Sequence, residues 1–525
     1  MQVCIVEIDA VALVGGATKT FYLSDIGYCS LPGDPSGPIC YLPFLDEPLQ
    51  CDRELPISPE SARMVGATWG DITLFNQRDP VTGNGYWDGI VPAYGVAGRG
   101  VRVKIGNKTF DQARGIWLDP SISTFTTIFS GVALDWVATA DAVNVRIRDN
   151  LAFLENPLQT SFYGGTGGAD GNDQIAGQPI PKLRGKVKNI TPTFVDTVNL
   201  IYQISDAKLN GVTCYDGGAV LTAGADYANY AALVAATVAS GTYATCMASG
   251  LIRLGTSPAF ALTVDSSGYF PSGTLTFTPA YIVENILTGD AGYGGAVDTS
   301  AFSAMSAAYP YDSGLYTGAT VYSGIGYMTP FLASIGASIG TLINGEVEIF
   351  QIAPPTGTAV FAFGPQQILD CQIYDLDASV IVPNWRRTLS YAPNDTVLTT
   401  LAGVVGVNSA ERQFLTNPYA KVTWANTANK TTWPTSADAP IVQSRLQNKA
   451  DAQAIVNLLG ALWGQQRYLF DVTLPLPIAL AAGVDLGQVG TIQYPDGILA
   501  QNVKVLVVGH NIDVKANTVV LRVLV

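Results

Sequence analysis

Residues 185–265 constrain the fold of this 525-residue chain more than any other segment. Apolar runs within it alternate with glycine-containing turns, and an uncharged segment of helical composition lies between them. The predicted strands, turn and helix occupy residues 185–192, 200–206, 215–218, 227–239, 250–255 and 263–265. We predict that the helix begins after Asp226, acting as its N-cap, and ends at Ser240. No reactive residue type dominates the segment, so its predicted role is architectural.

The residues before this segment are rich in strands. Residues 143–148 alternate strictly between apolar and polar, which places Val143, Val145 and Ile147 on one face of a strand. Residues 101–105 alternate in the same way, and glycines punctuate these runs. Hairpins are therefore the predicted unit, with a turn at residues 148–150.

The later part of the chain mixes helices and strands. A helix is predicted at 281–287, a second after Asp298, and a third after Thr329 with Pro330 at its first helical position. The helical spacing of apolar residues predicts a longer helix at 449–463. Strands are predicted at 345–350, 468–474, 489–493, 503–508 and 518–525.

Together these patterns predict a mainly β, multi-domain chain with α+β parts. A chain of this length exceeds one ordinary domain. The predicted units are a β domain at 1–155, a Gly-rich loop at 156–175, an inserted α+β domain at 176–272, a helical and strand domain at 273–360, and a second β domain with one packed helix at 361–525.

The charge content indicates a protein with large subunit interfaces. Only 13% of residues are charged, against 48% hydrophobic ones, so too few charges exist to cover a large free surface. The net charge of −14 excludes a basic face for nucleic-acid binding, which needs clustered Lys and Arg. An acidic protein is still suited to lie beside DNA that must slide past it.

The cysteines point to synthesis in a reducing compartment. Their number is odd and they are spread along the chain, so a disulfide scaffold is not expected. Buried apolar thiols are the favoured interpretation. An iron–sulfur cluster assembled from distant thiolates is the alternative, with Cys4, Cys29, Cys40 and Cys51 as candidate ligands.

The sequence predicts no catalytic site and no bound cofactor. Any Ser-His or Cys-His site must use His510, the one histidine, which we expect at the end of a strand. The Gly-x-Ser-x-Gly match around Ser338 follows a helix, whereas a nucleophile elbow needs a strand before it. Asp375 and Asp377 form one possible carboxylate pair among many. Arg386 and Arg387 are predicted to make structural or inter-subunit hydrogen bonds.

Three further features favour ordinary interpretations. The uncharged stretch between Asp226 and Arg253 is rich in Ala, Ser, Thr and Gly, so no transmembrane helix is predicted. The N-terminus lacks the basic region of a signal peptide. The Gly-rich residues 163–173 resemble one unit of a calcium-binding repeat. The unit occurs only once and has Ala169 where the repeat has an acid, so a loop is the favoured interpretation.

Several motifs in a fixed order resemble the tail hub, or baseplate hub, proteins of long-tailed bacteriophages and related gene transfer particles. Each motif is short, but their order and spacing cover most of the chain. The matching segments are residues 21–25, 128–131, 185–265, 282–287, 298–302, 384–394 and 486–525.

The resemblance implies a fold and a task. Residues 1–155 and 361–525 would be two tail-tube-like antiparallel β domains, and the units between them would be insertions. A homotrimer would then form a ring of pseudo-sixfold symmetry that joins a sixfold tail tube to a threefold tip. The implied partners are the distal tail or tube protein ring, a central tip or fibre protein, the tape-measure protein in the lumen, and genomic DNA that passes without specific binding. The implied location is the tail tip of the virion, after synthesis in the host cytoplasm.

Two other functions remain as alternatives. A receptor-binding tail-tip protein would use tyrosine-containing loops such as residues 309–313, although we see neither repeats nor coiled-coil heptads. A peptidoglycan-degrading tail enzyme would need a carboxylate site, and the chain shows no Cys/His peptidase motif.

Overall fold

The computed structural model describes residues 1–35, 37–57, 65–374, 381–495 and 497–525, and at 66–69 it describes the backbone. The predicted mainly β, multi-domain fold class is confirmed. The strands of the N-terminal region are β1 Gln2–Ala12, β2 Thr18–Ser24, β3 Tyr28–Cys29, β4 Cys40–Tyr41, β5 Leu45–Glu47, β6 Gln50–Glu54, β7 Gly66–Trp69, β8 Ile72–Phe75, β9 Tyr94–Gly95, β10 Gly100–Asn107, β11 Thr109–Asp111, β12 Ile116–Leu118, β13 Thr126–Ala138 and β14 Ala142–Asp149.

The middle of the chain contributes a second set of strands. They are β15 Leu183–Ile190, β16 Thr193–Asp196, β17 Ile201–Gln203, β18 Leu209–Asp216, β19 Ala219–Val220, β20 Thr222–Asp226, β21 Thr242–Cys246, β22 Leu251–Leu254, β23 Leu262–Gly268, β24 Gly314–Tyr316, β25 Ala337–Thr341 and β26 Val347–Gln351. The strands of the C-terminal part are β27 Phe361–Phe363, β28 Asp370–Ile373, β29 Arg386–Tyr391, β30 Ala420–Ala425, β31 Asp438–Val442, β32 Leu469–Pro475, β33 Val489–Ile492, β34 Val503–Asp513 and β35 Thr518–Leu524.

The described α-helices are short, apart from one of 15 residues. They are α1 Tyr230–Ala235, α2 Pro279–Asn285, α3 Thr299–Ala308, α4 Gly324–Ile335, α5 Ala410–Thr416, α6 Ala428–Thr432, α7 Lys449–Trp463 and α8 Leu476–Ala482. Among the residues that the structure describes, no helix has the length and apolar character to cross a membrane.

Two eight-stranded sheets form the frame of the molecule. The first has the order β2-β1-β10-β13-β14-β8-β5, and β9 adds to β1. The second, here called the last sheet, has the order β27-β33-β34-β35-β32-β28. Its strand β34 also pairs with the hairpin β6–β7, whose residues lie within the predicted unit 1–155. This hairpin therefore belongs in sequence to the N-terminal unit but in structure to the last sheet.

Two five-stranded sheets build the segment that opened the sequence analysis. Their orders are β19-β18-β23-β15-β24 and β16-β17-β22-β21-β20, and buried residues of both sheets meet in one core cluster. The buried guanidinium of Arg184 then fixes this sandwich to the helical region, because it lies 2.7 Å from the buried carboxylate of Asp290.

The helix in this segment is shorter than predicted. It begins after Asn229, whose side chain accepts the Ala232 N–H, whereas Asp226 ends strand β20 and accepts from Thr245 and Met247. It ends at Ala235 because Arg253 donates to the carbonyls of Leu233, Val234 and Ala236. A cation that binds these carbonyls satisfies the last turn and stops the helix.

The third predicted helix start is also wrong. Helix α4 begins after Ser323, whose hydroxyl accepts the Gly326 N–H, and Pro330 lies inside the helix. The residues after Ser323 include the fully buried Tyr327 and Phe331, so core packing extends the helix across the proline. The predicted starts after Asp298 and at Lys449 are confirmed.

The predicted strand faces are confirmed in the first sheet. Val143 and Val145 are fully buried in β14, and Arg146 is exposed. The hairpin turn lies at 139–141 and not at 148–150, because β13 and β14 pair from Gly131 with Asp149 to Ala138 with Val143. One continuous apolar core joins this sheet, the helices and the last sheet.

Candidate interaction surfaces

The four candidate cluster cysteines do not come together in this structure. Cys29 and Cys40 face each other on β3 and β4 and form a disulfide, with Cα atoms 4.2 Å apart. Cys4 and Cys51 are buried free thiols, and burial raises the pKa of Cys51 to about 12. Metals bind the thiolate, which burial disfavours at these two positions.

The described residues contain no group of three or more His, Cys, Asp or Glu side chains that could hold a metal ion. The disulfide departs from the expectation of free thiols. Its cause is the hairpin register, which places Cys29 directly opposite Cys40.

His510 lies inside strand β34 and not at the end of a strand. The strand continues to Asp513 because its last five residues pair with β35 on one side and with β6, a partner that is distant in sequence, on the other. Nδ1 of His510 lies 3.0 Å from Nη2 of Arg53. Burial and the Arg53 charge lower the pKa of His510 to about 3, against the weaker opposing effect of Asp485. The imidazole is therefore neutral and accepts a hydrogen bond from the guanidinium.

Arg53 joins the last sheet to the middle of the molecule. Its buried guanidinium lies 2.9 Å from Oδ1 of Asp485 and donates to the carbonyl of Thr341 at 2.9 Å. We call Arg53, Asp485 and His510 the buried triad. A charge pair this deeply buried is stable only when its remaining donors and acceptors are satisfied. Here Thr341 and His510 accept hydrogen bonds from Arg53, and Asp485 accepts the N–H of Ile343.

The other predicted chemical sites are placed as follows. Ser338 lies in β25 directly after α4, which is the reverse of the order that a nucleophile elbow needs. Asp375 and Asp377 lie outside the described residues. Arg386 pairs with Asp438, and Arg387 hydrogen-bonds to Asn384, in agreement with the predicted structural role.

Two predicted loops have internal roles. The Asp170 carboxylate accepts from the backbone N–H groups of Gly164 and Thr166, so this acid closes a turn of the Gly-rich loop. Tyr309 donates to Oε1 of Gln351 at 2.8 Å and is only partly exposed. Its hydroxyl is therefore occupied within the chain and is not displayed to a receptor.

The face of the first sheet opposite the core is apolar at one end, where Val3 and Ile5 are buried with Tyr28 and Tyr41, and polar and ion-paired beyond it. Arg102 on β10 lies 2.7 Å from Glu7 and 3.1 Å from Asp9 on β1, and Lys104 lies 2.8 Å from the second oxygen of Glu7. Burial opposes ionisation of Glu7, but the hydrogen bonds of Arg102 and Lys104 lower the pKa of this carboxyl. Further along the same face, Arg146 pairs with Asp135.

The corresponding face of the last sheet has the same character. Arg522 on β35 lies 2.9 Å from Asp471 on β32 and 2.8 Å from Glu54 on β6, and it lies over the ring of Tyr374. It reaches Glu54 across β34 because the facing residue there is Gly509. A Cβ at position 509 would lie 2.7 Å from Cβ of Arg522. Both sheets therefore carry, on this face, a polar area whose acids and bases neutralise each other.

Apolar side chains are exposed at a separate hairpin. Strands β11 and β12 pair with each other and with no other described strand. We call residues 109–118 the arm. Its four large apolar side chains are between 38% and 48% exposed: Phe110, Ile116, Trp117 and Leu118. Such a patch, on the strands of a separate two-stranded hairpin, indicates a protein–protein contact.

An unpaired sheet edge is a second candidate contact. Strand β28 ends the last sheet in the described chain and pairs with β32 alone. Leu369 and Ile373 at its two ends are 60% and 63% exposed. An edge strand with exposed apolar side chains is a template for pairing with a strand of another molecule.

Sequence reasoning missed the arginines that organise these surfaces. Alternation alone places Arg102 on the polar face of β10, but Arg53 binds Thr341, 288 residues away, and Arg522 binds Glu54, 468 residues away. The arm does have a local signal in the sequence. At residues 115–118, a glycine turn is followed by a run of large apolar residues, which is a pattern of an exposed apolar hairpin.

The chain has similarity to solved structures of tail proteins. The chain is 10% identical to the 43 kDa tail protein of prophage MuSo2 from Shewanella oneidensis, with 99% of this chain and 98% of that chain covered and a TM-score of 0.39. It is 8% identical to the tail protein from Neisseria meningitidis MC58, with 99% and 96% covered and a TM-score of 0.33.

A third similar structure comes from an assembled particle. A chain of the virion of the native gene transfer agent particle is 11% identical, with 66% of this chain and 84% of that chain covered and a TM-score of 0.42. No protein-family model matches the chain, and no curated protein matches it.

Proposed function

We propose that this protein is a structural, non-enzymatic hub of a phage-type tail, which assembles as a homotrimer. The observation that carries the proposal is the presence of two eight-stranded sheets in one chain, joined through a shared core and an exchanged hairpin. Three such chains would place six sheets around one axis, which is the symmetry needed to join a sixfold tube to a threefold tip. The ordered sequence motifs support the same assignment.

The surfaces of the two sheets fit a wall of a channel. Both carry polar areas whose arginines are held by acids at 2.7 to 2.9 Å. Such a face binds water well and offers DNA few free cations, so that a nucleic acid would pass without adhering. The net charge of −14 acts in the same direction.

Self-association of the purified protein is the first test. Analytical ultracentrifugation and native mass spectrometry are expected to give a species of three times the 55.3 kDa chain mass. A chain that stays monomeric at high micromolar concentration would contradict the trimer.

Location in particles is the second test. A density map of purified tails is expected to show three copies in a ring at the tail tip, with the polar sheet faces toward the axis. Arg146→Glu would make the exposed part of the first face more acidic and should leave DNA passage intact, since the Arg146 and Asp135 side chains are 59% and 35% exposed. Asp135→Lys should slow DNA ejection, because it adds a free cation at the same place. A ring whose axis is lined by other parts of the chain would refute the channel assignment.

A further inference from the structure

A cavity of about 420 Å³ opens at one end of the first sheet, next to the last residue of β8. Three segments meet there: the residues before β5, the residues after β8, and the turn between β13 and β14. We call this cavity the aromatic pocket, and its lining includes Phe44, Phe75, Asn76, Gln77, Arg78 and Asp141. Its volume lies in the range of small-molecule sites, about 300–1,000 Å³. The aromatic pocket therefore has room for a small ligand.

One wall of the aromatic pocket consists of rings with uncovered faces. Phe75 is 47% exposed, lies on the face of β8 opposite to the buried Leu74, and has no aromatic neighbour among the described residues. Its backbone N–H donates to the carbonyl of Phe44 at 2.7 Å, which brings the two residues together. The ring of Phe44 stacks on Tyr86, with centroids 4.5 Å apart and an angle of 23° between the rings. The exposed face of Phe75 is therefore free to stack on a ligand.

The rim of the aromatic pocket is polar. The Gln77 side-chain amide is exposed and forms no hydrogen bond with another described residue. Arg78 donates through Nε to the carbonyl of Ala140 and through Nη1 to the carbonyl of Gly83, both at 3.0 Å, so Nη2 stays available. The Asp141 side chain is 93% exposed and lies 3.9 Å from Nε of Arg78. An amide donates and accepts, a guanidinium donates and a carboxylate accepts, so the rim offers both kinds of partner.

Buried hydrogen bonds fix the rim before any ligand arrives. The side chain of Asn76 is 3% exposed, donates to the carbonyl of Thr139 at 2.9 Å and accepts the Trp87 N–H at 3.0 Å. The backbone N–H of Asn76 donates to the carbonyl of Asp141 at 2.9 Å. A Cβ at Gly85 would collide with the Asn76 amide, so the loop approaches this side chain as closely as a glycine allows. A pocket held in this way pays little ordering entropy when it binds a ligand.

We propose that the aromatic pocket binds a neutral pyranose, either as a free sugar or as the end of a polysaccharide. The ring carbons of a pyranose present an apolar C–H face, which stacks on an aromatic ring such as Phe75. Each of its hydroxyl groups donates and accepts, so these groups match a rim that offers an amide, a guanidinium and a carboxylate. The inference adds a ligand to the proposed hub and does not depend on its trimeric state.

The chemistry of the rim favours a neutral, hydroxylated ring over other ligands. A phosphate group would meet Arg78 as the one cation of the lining, and that guanidinium already binds two carbonyls and lies 3.9 Å from Asp141. A purely apolar ligand would cover the rim groups without giving them partners. A proline-rich peptide also stacks on aromatic rings, but proline has no N–H to donate to Asp141. A pyranose avoids all three penalties.

Saturation-transfer NMR on the full chain is the first test, because it detects weak binding to a large protein. The probes are the methyl glycosides of glucose, galactose, mannose, rhamnose and N-acetylglucosamine, together with an oligosaccharide of each. We expect saturation of at least one sugar, strongest at the C–H protons of one ring face. A higher affinity for the oligosaccharide would assign a polymer as the source, and equal affinities would assign a free sugar. Absence of transfer to every probe would overturn the proposal.

Substitution of Phe75 tests the stacking ring. Phe75→Ala should raise the dissociation constant of the bound sugar about tenfold or more, because the apolar face of the sugar loses its partner. Phe75→Tyr keeps a ring and should keep the affinity. Phe110→Ala is the matched control, since Phe110 is 45% exposed against 47% for Phe75 and lies in the arm. Wild-type affinity in Phe75→Ala, or an equal loss in Phe110→Ala, would overturn the assigned pocket.

The rim and the class of ligand have their own tests. Gln77→Met removes the amide at nearly constant size and should weaken sugar binding severalfold, whereas Gln465→Met, at an exposed position elsewhere, should leave it unchanged. Equal effects of these two variants would contradict the role of the rim.

Guanosine and a proline-rich peptide are the competing probes, and neither is expected to bind as tightly as the best sugar. Tighter binding of either one than of every sugar would overturn the saccharide class. Self-association is measured separately, so a chain that stays monomeric refutes the hub assignment and leaves the sugar test in place.

Discussion

The Arg53 guanidinium and the His510 imidazole lie 3.0 Å apart, directly opposite each other in register on β6 and β34. They are 457 residues apart in sequence. This contact places an N-terminal hairpin on the last sheet, and Asp485 completes it from a third segment. The one histidine of the sequence is thus part of the frame of the molecule.

Arg53→Met should lower the free energy of unfolding by about 3–5 kcal/mol, because it leaves the Asp485 carboxylate buried without its partner. Chemical denaturation followed by tryptophan fluorescence measures the change. Lys515→Met is the control, since Lys515 and Glu47 form an ion pair that is 65% and 55% exposed. That change should stay within about 0.5 kcal/mol of the wild type. Equal effects of the two variants would contradict the structural role of the triad.

His510 should make the fold less stable in acid. Its pKa is lowered to about 3 in the folded chain, from an ordinary value near 6.5. The unfolded state therefore binds a proton that the folded state refuses, and stability falls as the pH drops from 6.5 to 3. The expected loss is about 3–5 kcal/mol over this window. His510→Asn should flatten the profile there, and the single histidine NMR signal should not titrate between pH 8 and 4.

Glu348 should have the opposite effect on the pH profile. Burial, and then the charges of Asp298, Asp485 and Glu346, raises the pKa of Glu348 to about 7 from 4.5. The folded state keeps a proton that the unfolded state loses, so stability falls as the pH rises from 4.5 to 7. Glu348→Gln should therefore stabilise the protein by about 1–2 kcal/mol at pH 8, after allowance for solvent screening, and little at pH 4. Asp173→Asn, in an exposed loop, is the control; a similar gain from it would exclude the assigned cause.

Gly509→Ala should disturb the polar face of the last sheet, on which Arg522 lies. The added Cβ would lie 2.7 Å from Cβ of Arg522 and would push this side chain from its bridge to Glu54. The expected cost is about 1–3 kcal/mol in thermal or chemical unfolding. Gly483→Ala is the control. Gly483 has a positive φ, and nothing lies within 4 Å of the added Cβ, so this variant measures backbone strain without steric crowding. A normal Arg522–Glu54 pair in a structure of the Gly509 variant would disprove the steric argument.

Local patterns predicted local structure well. Strict alternation gave the buried face of β14, and helical spacing gave the bounds of Lys449–Trp463. The predicted starts of α1 and α4 were wrong. Several residues near each start could serve as the N-cap, and tertiary contacts favoured Asn229 and Ser323. Core burial around Pro330 outweighed the preference of proline for the first turn.

Long-range pairing was not accessible from the sequence. The pairing of β34 with β6 joins His510 to Arg53, 457 residues away, and no local signal links these segments. The same holds for Arg522, whose acids come from β32 and β6. For the interaction surfaces, the low charge content indicated interfaces in general, but only the three-dimensional fold shows that the arm stands apart from the body.

The exchanged hairpin has a consequence for biosynthesis. Residues 50–54 are made more than four hundred residues before their partner strand, residues 503–513. The early hairpin must therefore wait with an open edge until that strand has been translated. Until then the open edge is a template for pairing with other chains.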